Sequence, residues 1–145
     1  DTCPSNSNSP LQSTASTACE CNAGWTGLNS GACTVCGAGT FKVSPGAAAC
    51  DICPSNSNSP VGSLVVTACT CNAGSSGPDG SACVLCAMGK YKASVGNAIC
   101  DECVSGTYLD ETGQDAEGDC KDCPANSGNN PAASTAESDC KCNAA

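Results

Sequence analysis

The sequence predicts a small disulfide-rich fold, an elongated tandem array of cysteine-rich modules made of short β-hairpins and turns with almost no helix. The chain has 17 cysteines in 145 residues, and residues 51–100 repeat residues 1–50 without a gap at 27 of 50 positions, which is the mark of a repeat array. Val, Ile, Leu and Phe supply only 16 residues, too few to bury a conventional core. Disulfides must therefore organise the fold, since each bond that closes a loop of about 15 residues contributes roughly 3 kcal/mol.

Three cysteine phrases account for nearly all of the chain. The first phrase has one aromatic residue five positions after its first cysteine, and its copies are residues 36–50, 86–100 and 103–120. The second phrase is rich in the turn formers Pro, Ser and Asn, and occupies residues 3–19, 53–69 and, in a looser form, 123–140. The third phrase, Cys-x-Cys-Asn-Ala-Gly with a glycine-rich tail, runs through 19–33 and 69–83 and begins again at 140. No stretch has helical periodicity, and only the run at 63–67 favours an isolated strand.

The charge and cysteine content restrict the function classes. The net charge is -9 and all five basic residues are lysine, a balance that repels nucleic acid and anionic lipid. No apolar run reaches the roughly 20 residues of a membrane helix, so we expect no membrane span. Disulfides at this density persist in oxidising compartments, which predicts an extracellular or cell-surface location. The absence of a signal peptide suggests a mature or excerpted chain.

The phrases together resemble a known family. Cys-x-x-Gly-Thr-Phe/Tyr-Lys, Cys-Pro-x-Asn-Ser and Cys-x-Cys-x-x-Gly, in this order, are similar to the cysteine-rich, EGF-like region of ephrin receptors and to related repeats of large extracellular proteins. The resemblance covers essentially the whole chain. The tandem repetition, the doubled first phrase and the scarcity of basic residues depart from the receptor pattern. Such modules serve receptors, matrix and surface fibres alike, so the resemblance indicates module type more than role.

The resemblance divides the chain into three modules. Residues 1–33 correspond to a partial EGF-like module and residues 34–83 to a complete one. Residues 84–145 correspond to an EGF-like module with an extra cysteine-rich unit at 103–120, truncated at its C-terminal end.

Two disulfide schemes remain open at this point, because sequence alone does not fix connectivity. The crossed pairing that the EGF resemblance implies joins Cys21–Cys33, Cys36–Cys53, Cys50–Cys69, Cys71–Cys83, Cys86–Cys100, Cys103–Cys123 and Cys120–Cys140, and leaves Cys3, Cys19 and Cys142 open. A nearest-neighbour scheme joins Cys3–Cys19, Cys21–Cys33, Cys36–Cys50, Cys53–Cys69, Cys71–Cys83, Cys86–Cys100, Cys103–Cys120 and Cys123–Cys140. In both schemes Cys142 is left over, which predicts a longer repetitive chain or a cross-link to the next subunit.

Catalytic and metal chemistry find little support. The chain has no histidine, so acid–base catalysis would fall to carboxylates in glycine-rich sequence without apolar cover, and we expect no catalytic residue. Zinc is disfavoured because the Cys-x-Cys pairs do not fit zinc-ribbon spacing. We predict no cofactor, with calcium as the alternative considered, because hard oxygen ligands cluster near Cys103. Its candidate ligands are Asp101, Glu102, Asp110 and Asp115.

Covalent glycans are predicted on the second phrase. Asn-x-Ser/Thr acceptors are absent, whereas Ser-rich sequence with proline is typical of O-glycosylated stalks. The candidate sites are Ser5, Ser7, Ser9 and Pro10, the proline only if hydroxylated, with their copies Ser55, Ser57, Ser59 and Pro60.

The preferred function at this stage is structural. Near-identical repeats favour a disulfide-locked extracellular rod or filament subunit that self-associates into a homopolymer. The alternative is a spacer or ligand-binding segment of a cell-surface receptor or adhesin, in which the acidic 103–120 unit contacts a partner.

Overall fold

The computed structural model describes residues 2–11, 13, 15 and 18–143. Across these residues each short strand pairs with its neighbour in sequence, giving seven two-stranded sheets, antiparallel where the register is defined. The strands are β1 Ser7–Asn8, β2 Glu20–Cys21, β3 Trp25–Thr26, β4 Thr34–Val35, β5 Thr40–Phe41, β6 Asp51–Ile52, β7 Ser57–Asn58, β8 Thr70–Cys71, β9 Ser75–Ser76, β10 Val84–Leu85, β11 Lys90–Tyr91, β12 Asp101–Glu102, β13 Thr107–Tyr108 and β14 Lys121–Asp122.

Helix is confined to single turns. The 3-10 turns within the described residues are Val66–Ala68, Glu117–Asp119 and Glu137–Asp139. The strand favoured at 63–67 is wrong, because Leu64, Val65 and Val66 have no strand partner there and lie exposed. Only Ser63 of this run makes a bridge, to Phe41. The small disulfide-rich fold of hairpins and turns is otherwise confirmed.

In the described part of the chain, eight disulfides join the cysteines in consecutive pairs: the first to the second, the third to the fourth, and so on. The bonds are Cys3–Cys19, Cys21–Cys33, Cys36–Cys50, Cys53–Cys69, Cys71–Cys83, Cys86–Cys100, Cys103–Cys120 and Cys123–Cys140. We call the segment closed by each bond a cystine loop. Cys142 is exposed and carries a free thiol.

The crossed pairing implied by the EGF resemblance is wrong at four bonds. Cys36 and Cys50 bond to each other, and so do Cys53 and Cys69. The same correction applies to the pairs Cys103–Cys120 and Cys123–Cys140. Cys3 and Cys19, predicted to be open, also form a bond with each other. The pairs Cys21–Cys33, Cys71–Cys83 and Cys86–Cys100 are present as both schemes predicted.

A turn near the start of each loop explains this connectivity. The third residue after the first cysteine has positive φ in every loop, and is always glycine or asparagine: Asn6, Gly24, Gly39, Asn56, Gly74, Gly89, Gly106 and Asn126. These two residue types tolerate the left-handed region best. In the first seven loops the turn starts the first strand of a hairpin one residue later, and the second strand follows the closing cysteine directly. The closing cysteine therefore lies beside the opening one, with Cα atoms 5.6 to 5.8 Å apart.

Equivalent backbone hydrogen bonds connect successive loops within each of the two halves of the chain. The N–H of Gly24 donates to the carbonyl oxygen of Lys42, at 2.9 Å, and Gly74 donates to Lys92 at the same distance. Gly39 repeats the bond to Ser59, and Gly89 to Leu109. In these four bonds the donor is the left-handed residue of one loop, and the acceptor is the sixth residue after the first cysteine of the next. Gly106 differs, because its N–H donates to the side-chain oxygen of Asn130 at 2.7 Å. The three sequence phrases therefore form the same type of cystine loop and differ in the side chains that the loop carries.

Cysteines make up most of the buried apolar residues. Among the residues that the structure describes, ten apolar residues are buried, and nine of them are cysteines; the tenth is Leu109, 1% exposed. The other large aliphatic residues noted at the surface include Leu11, Ile52, Val84 and Ile99. The backbone divides into two compact units, residues 1–70 with 79–81 and residues 71–78 with 82–145. The three-module division predicted from the phrases stays a prediction.

Candidate functional site

The predicted glycosylation sites separate into exposed and enclosed side chains. Ser5, Ser9 and Ser55 are exposed, as are Pro10 and Pro60. They lie at the loop tips next to the left-handed Asn6 and Asn56, so a modifying enzyme can reach them without opening the loop. These five positions keep their place as candidate acceptors.

The remaining three serines are occupied by internal hydrogen bonds. The Ser7 hydroxyl donates to the Pro4 carbonyl at 2.7 Å, and Ser57 makes the same bond to Pro54 at 2.6 Å. Ser59 is 4% exposed and donates to the Thr40 carbonyl at 3.1 Å. A serine three residues after a proline thus closes the turn rather than facing solvent. Ser7 and Ser59 are buried and Ser57 half-buried, so a modifying enzyme meets these three hydroxyls less readily, and their glycosylation stays a prediction.

An open depression of about 230 Å³ lies beside the exposed end of the first loop. Its lining combines carboxylate, amide and proline surfaces: Asn8, Ser9, Pro10, Glu20, Asn22 and Pro45. The Asn8 side-chain amide donates to the Asn22 oxygen at 2.8 Å and fixes one wall. The depression therefore offers polar hydrogen-bonding groups next to two candidate glycan positions.

The acidic region at 101–122 forms ion pairs with the nearby lysines. Lys121 Nζ lies 2.6 Å from Asp110 Oδ1 and 3.8 Å from Glu111 Oε1. The hydrogen bond from Lys121 lowers the pKa of the Asp110 carboxyl. The same hydrogen bond raises the pKa of the Lys121 ammonium. On the preceding hairpin Lys90 pairs with Glu102 at 3.1 Å, directly across from it in the register. Both pairs are exposed, so each contributes little to stability.

A second open depression, of about 280 Å³, lies within the 103–120 loop and its following strand. It is lined by Leu109, Glu111, Gln114, Gly118, Asp119 and Lys121. The Gln114 amide donates to Glu111 Oε2 at 3.0 Å and orders one side. The charged side chains in the lining are two carboxylates, Glu111 and Asp119, and one ammonium, Lys121.

The predicted calcium ligands are not brought together. Within the described residues, no group of three or more His, Cys, Asp or Glu side chains is placed to hold a metal ion. Asp110 engages Lys121 instead, and Glu102 engages Lys90. Asp101 is paired across its hairpin with Tyr91. The pKa of Tyr91 is raised, mainly by desolvation and then by the negative charges of Glu117 and Asp101. Calcium binding by Asp101, Glu102, Asp110 and Asp115 stays a prediction, and it would require Glu102 and Asp110 to leave their present partners.

Comparison with known families identifies one segment. Residues 74–120 match the family described as tyrosine-protein kinase ephrin type A/B receptor-like. This segment is an ephrin-receptor-like cysteine-rich domain. No curated protein matches the chain significantly.

The ephrin-receptor-like domain includes the doubled first phrase. Both the 86–100 and the 103–120 loops lie inside the matched residues, so the extra copy is part of the family pattern. The loops before and after the domain repeat its geometry, with the same left-handed residue three positions after the opening cysteine. Disulfide bonding of this extent is typical of extracellular proteins. Among the described residues, no helix has the length and apolar character needed to cross a membrane.

Two buried lysines were missed by the sequence analysis. Lys42 is 3% exposed and Lys92, in the ephrin-receptor-like domain, is 1% exposed. Lys42 Nζ donates to the carbonyls of Trp25, at 2.7 Å, and Gly46. Lys92 Nζ donates to the carbonyls of Ser75 (2.6 Å), Gly96 (2.7 Å) and Asn72 (3.3 Å). The sequence signal for burial was the lysine that follows the aromatic residue of the first phrase, in Phe41-Lys42 and Tyr91-Lys92. The third copy has the apolar Leu109 at this place, after Tyr108.

Proposed function

We propose that this chain is an extracellular structural protein, a repeat subunit of a rod or filament that forms a surface fibre or sheath. The observation that carries the proposal is the duplication of one exposed surface. Ser5, Asn8 and Pro10 are exposed on the first loop, and Ser55, Asn58 and Pro60 are exposed at the matching places of the fourth. A chain that presents the same contact surface twice can join more than one neighbour, and repeated contacts between like units build open assemblies.

The exposed aliphatic side chains support self-association. Leu11 is 98% exposed and Val61, its counterpart fifty residues later, is 60% exposed. Val84, Val95 and Ile99 are also more than two-thirds exposed. Because the cysteines occupy the interior, these residues gain burial only by contact with another molecule. A second copy of the chain supplies such a surface without any new partner.

We include O-linked glycans on the exposed serines in the proposed function, as a hydrating and protective coat. O-linked glycans on Ser5, Ser9 and Ser55 would hydrate the loop tips, and Pro10 and Pro60 are further acceptors if hydroxylated. Glycans there would also cover the peptide bonds of the serine-rich tips against proteases. The role is mechanical rather than enzymatic: closed loops limit extension, and the hydrogen bonds between successive loops resist their separation.

Electron microscopy and sedimentation of the purified native protein test the proposal. We expect ordered filaments, and a sedimentation coefficient that rises with protein concentration. A matched variant, Leu11→Ser with Val61→Ser, should weaken association while leaving the disulfide-bonded fold intact, since both side chains are exposed. Native material that stays monomeric at every concentration would contradict the filament role.

A partner-binding segment is the second candidate, favoured by the depression in the 103–120 loop. Its two carboxylates, Glu111 and Asp119, suit a basic side chain on another protein. Dispersed monomers that bind a basic peptide, and lose binding in Glu111→Gln with Asp119→Asn, would favour this role over the filament.

A further inference from the structure

We propose that the Lys42 and Lys92 ammonium groups are built-in structural cations that lock neighbouring cystine loops together. Each lysine is the sixth residue after the opening cysteine of its loop, the inward position that Leu109 and Ser59 fill in other loops. A lysine at a core position is unusual, because long charged side chains are seldom fully buried. The proposal is independent of filament assembly, since it concerns contacts within one chain.

The geometry around each ammonium fits a cation site made of backbone oxygen. An ammonium group has three donors and no acceptor. Around Lys92 these donors meet carbonyls of Asn72 and Ser75 in the preceding loop and of Gly96 in its own loop. Around Lys42 they meet Trp25 in the preceding loop and Gly46 in its own. The two sites are fifty residues apart and use equivalent positions, so the arrangement is a repeated feature of the fold.

The consequence is a link between loops that the disulfides do not provide. Every disulfide closes a loop on itself, so no sulfur bridge joins the 71–83 loop to the 86–100 loop. That junction depends on backbone bonds, such as Gly74 N–H to Lys92 oxygen, and on the Lys92 side chain. Removing the ammonium takes its donor from the buried Ser75 carbonyl and from the partly buried bonds to Asn72 and Gly96, and loss of a buried donor is costly. The lysines thus take the linking role that a bound metal ion plays in other small domains.

Amine labelling of the intact protein gives the first test. We expect an amine-reactive reagent to modify Lys42 and Lys92 at least about tenfold more slowly than Lys90 and Lys121, because the buried amines react only after local opening. Peptide mass spectrometry after partial labelling measures all four in one sample. Labelling of Lys92 at the rate of Lys90 would overturn the proposal, whatever the behaviour of any variant.

A matched pair of substitutions gives the second test. Lys92→Met keeps the length of the side chain and removes its donors, and Lys90→Met removes an exposed lysine two residues away. We expect Lys92→Met to lower the midpoint of thermal unfolding by roughly 5 °C or more, with little change in Lys90→Met. Amide exchange should quicken at Gly74, while Cys123, whose N–H bonds to Gly106 in a later pair of loops, keeps its protection. Equal exchange at Gly74 in the two variants would contradict the proposal.

Discussion

Gly24 lies so close to Gly62 that a methyl group added to Gly24 would sit 2.7 Å from the Gly62 carbonyl oxygen and 2.8 Å from the Leu64 Cδ2 atom. The two residues belong to different cystine loops, 21–33 and 53–69, and Gly24 also holds the left-handed turn of its own loop with φ of 75°. The position therefore requires glycine for two separate reasons, backbone conformation and close approach. Asn6, Asn56 and Asn126 occupy the same turn in other loops, where the side chain is accommodated.

Gly24→Ala should destabilise the protein more than an alanine that meets only the conformational penalty. Gly46 is the matched control, because its φ is 127° and a methyl group there meets nothing within 4 Å. We expect Gly46→Ala to lower the free energy of unfolding by about 1 to 3 kcal/mol. Gly24→Ala should lose a further ~1 to 3 kcal/mol from overpacking. Thermal unfolding of the oxidised proteins measures both, and equal losses would show that the loops do not pack at Gly24.

The disulfide connectivity predicts the outcome of a thiol count. Cys103→Ser with Cys120→Ser removes one whole disulfide, so we expect one free thiol, Cys142, as in the parent chain. Cys103→Ser with Cys123→Ser removes one partner from each of two bonds and should release Cys120 and Cys140. The crossed scheme predicts the reverse result for the two variants. Thiol titration under denaturing, alkylating conditions distinguishes them, and the first variant should lose roughly 3 kcal/mol of stability.

The Asp110–Lys121 ion pair predicts a pH dependence at the acid end. Lys121 holds the pKa of Asp110 below its ordinary value of 3.8, so the folded protein binds this proton less readily than the unfolded chain. The contribution of the pair is therefore present above pH 3.8 and is lost as the pH falls through the lower folded pKa. We expect Asp110→Asn to be slightly less stable than the parent at pH 6 and equal to it near pH 2. Asp115→Asn, which breaks no ion pair in the described chain, is the control, and a difference that persists at pH 2 would contradict the assignment.

Glycan mapping separates the exposed serines from the enclosed ones. We expect sugar on Ser5, Ser9 or Ser55, and none on Ser7, Ser57 or Ser59, because the hydroxyls of the latter three donate to backbone carbonyls. Electron-transfer fragmentation of the native glycopeptides places each sugar on one residue. Unmodified peptides would remove the glycan part of the proposed function, and sugar on Ser59 would contradict the burial of that side chain.

The phrases predicted the hairpins and turns well, because each opening cysteine is followed three residues later by Gly or Asn, and seven of the eight closing cysteines are followed by a strand. The connectivity of Cys36 and Cys53 was not predictable, since both schemes close loops of similar length and the entropy of closure hardly distinguishes them. The left-handed turn at Gly39 is the local feature that decides it. Lys42 and Lys92 were missed because charge normally places lysine at the surface. The burial of Ser7 and Ser59 was not predictable, because composition reports hydroxyl content but not the direction in which a side chain points.

Self-association should depend on salt and acid, because like charges keep the copies apart. The chain has a net charge of -9 and an isoelectric point near 4.1, so copies repel at neutral pH. Salt screens the repulsion between exposed charges that lie further apart than the Debye length, which is about 8 Å at physiological ionic strength and shortens as salt is added. We expect sedimentation to show larger assemblies at high salt, or as the pH approaches 4.1, while the fold stays intact by circular dichroism. Lys121→Glu, which raises the negative charge, should shift assembly to higher salt, and Leu11→Ser should reduce it at every salt concentration. Association that weakens as salt rises would instead indicate contacts between opposite charges and contradict an apolar interface between copies.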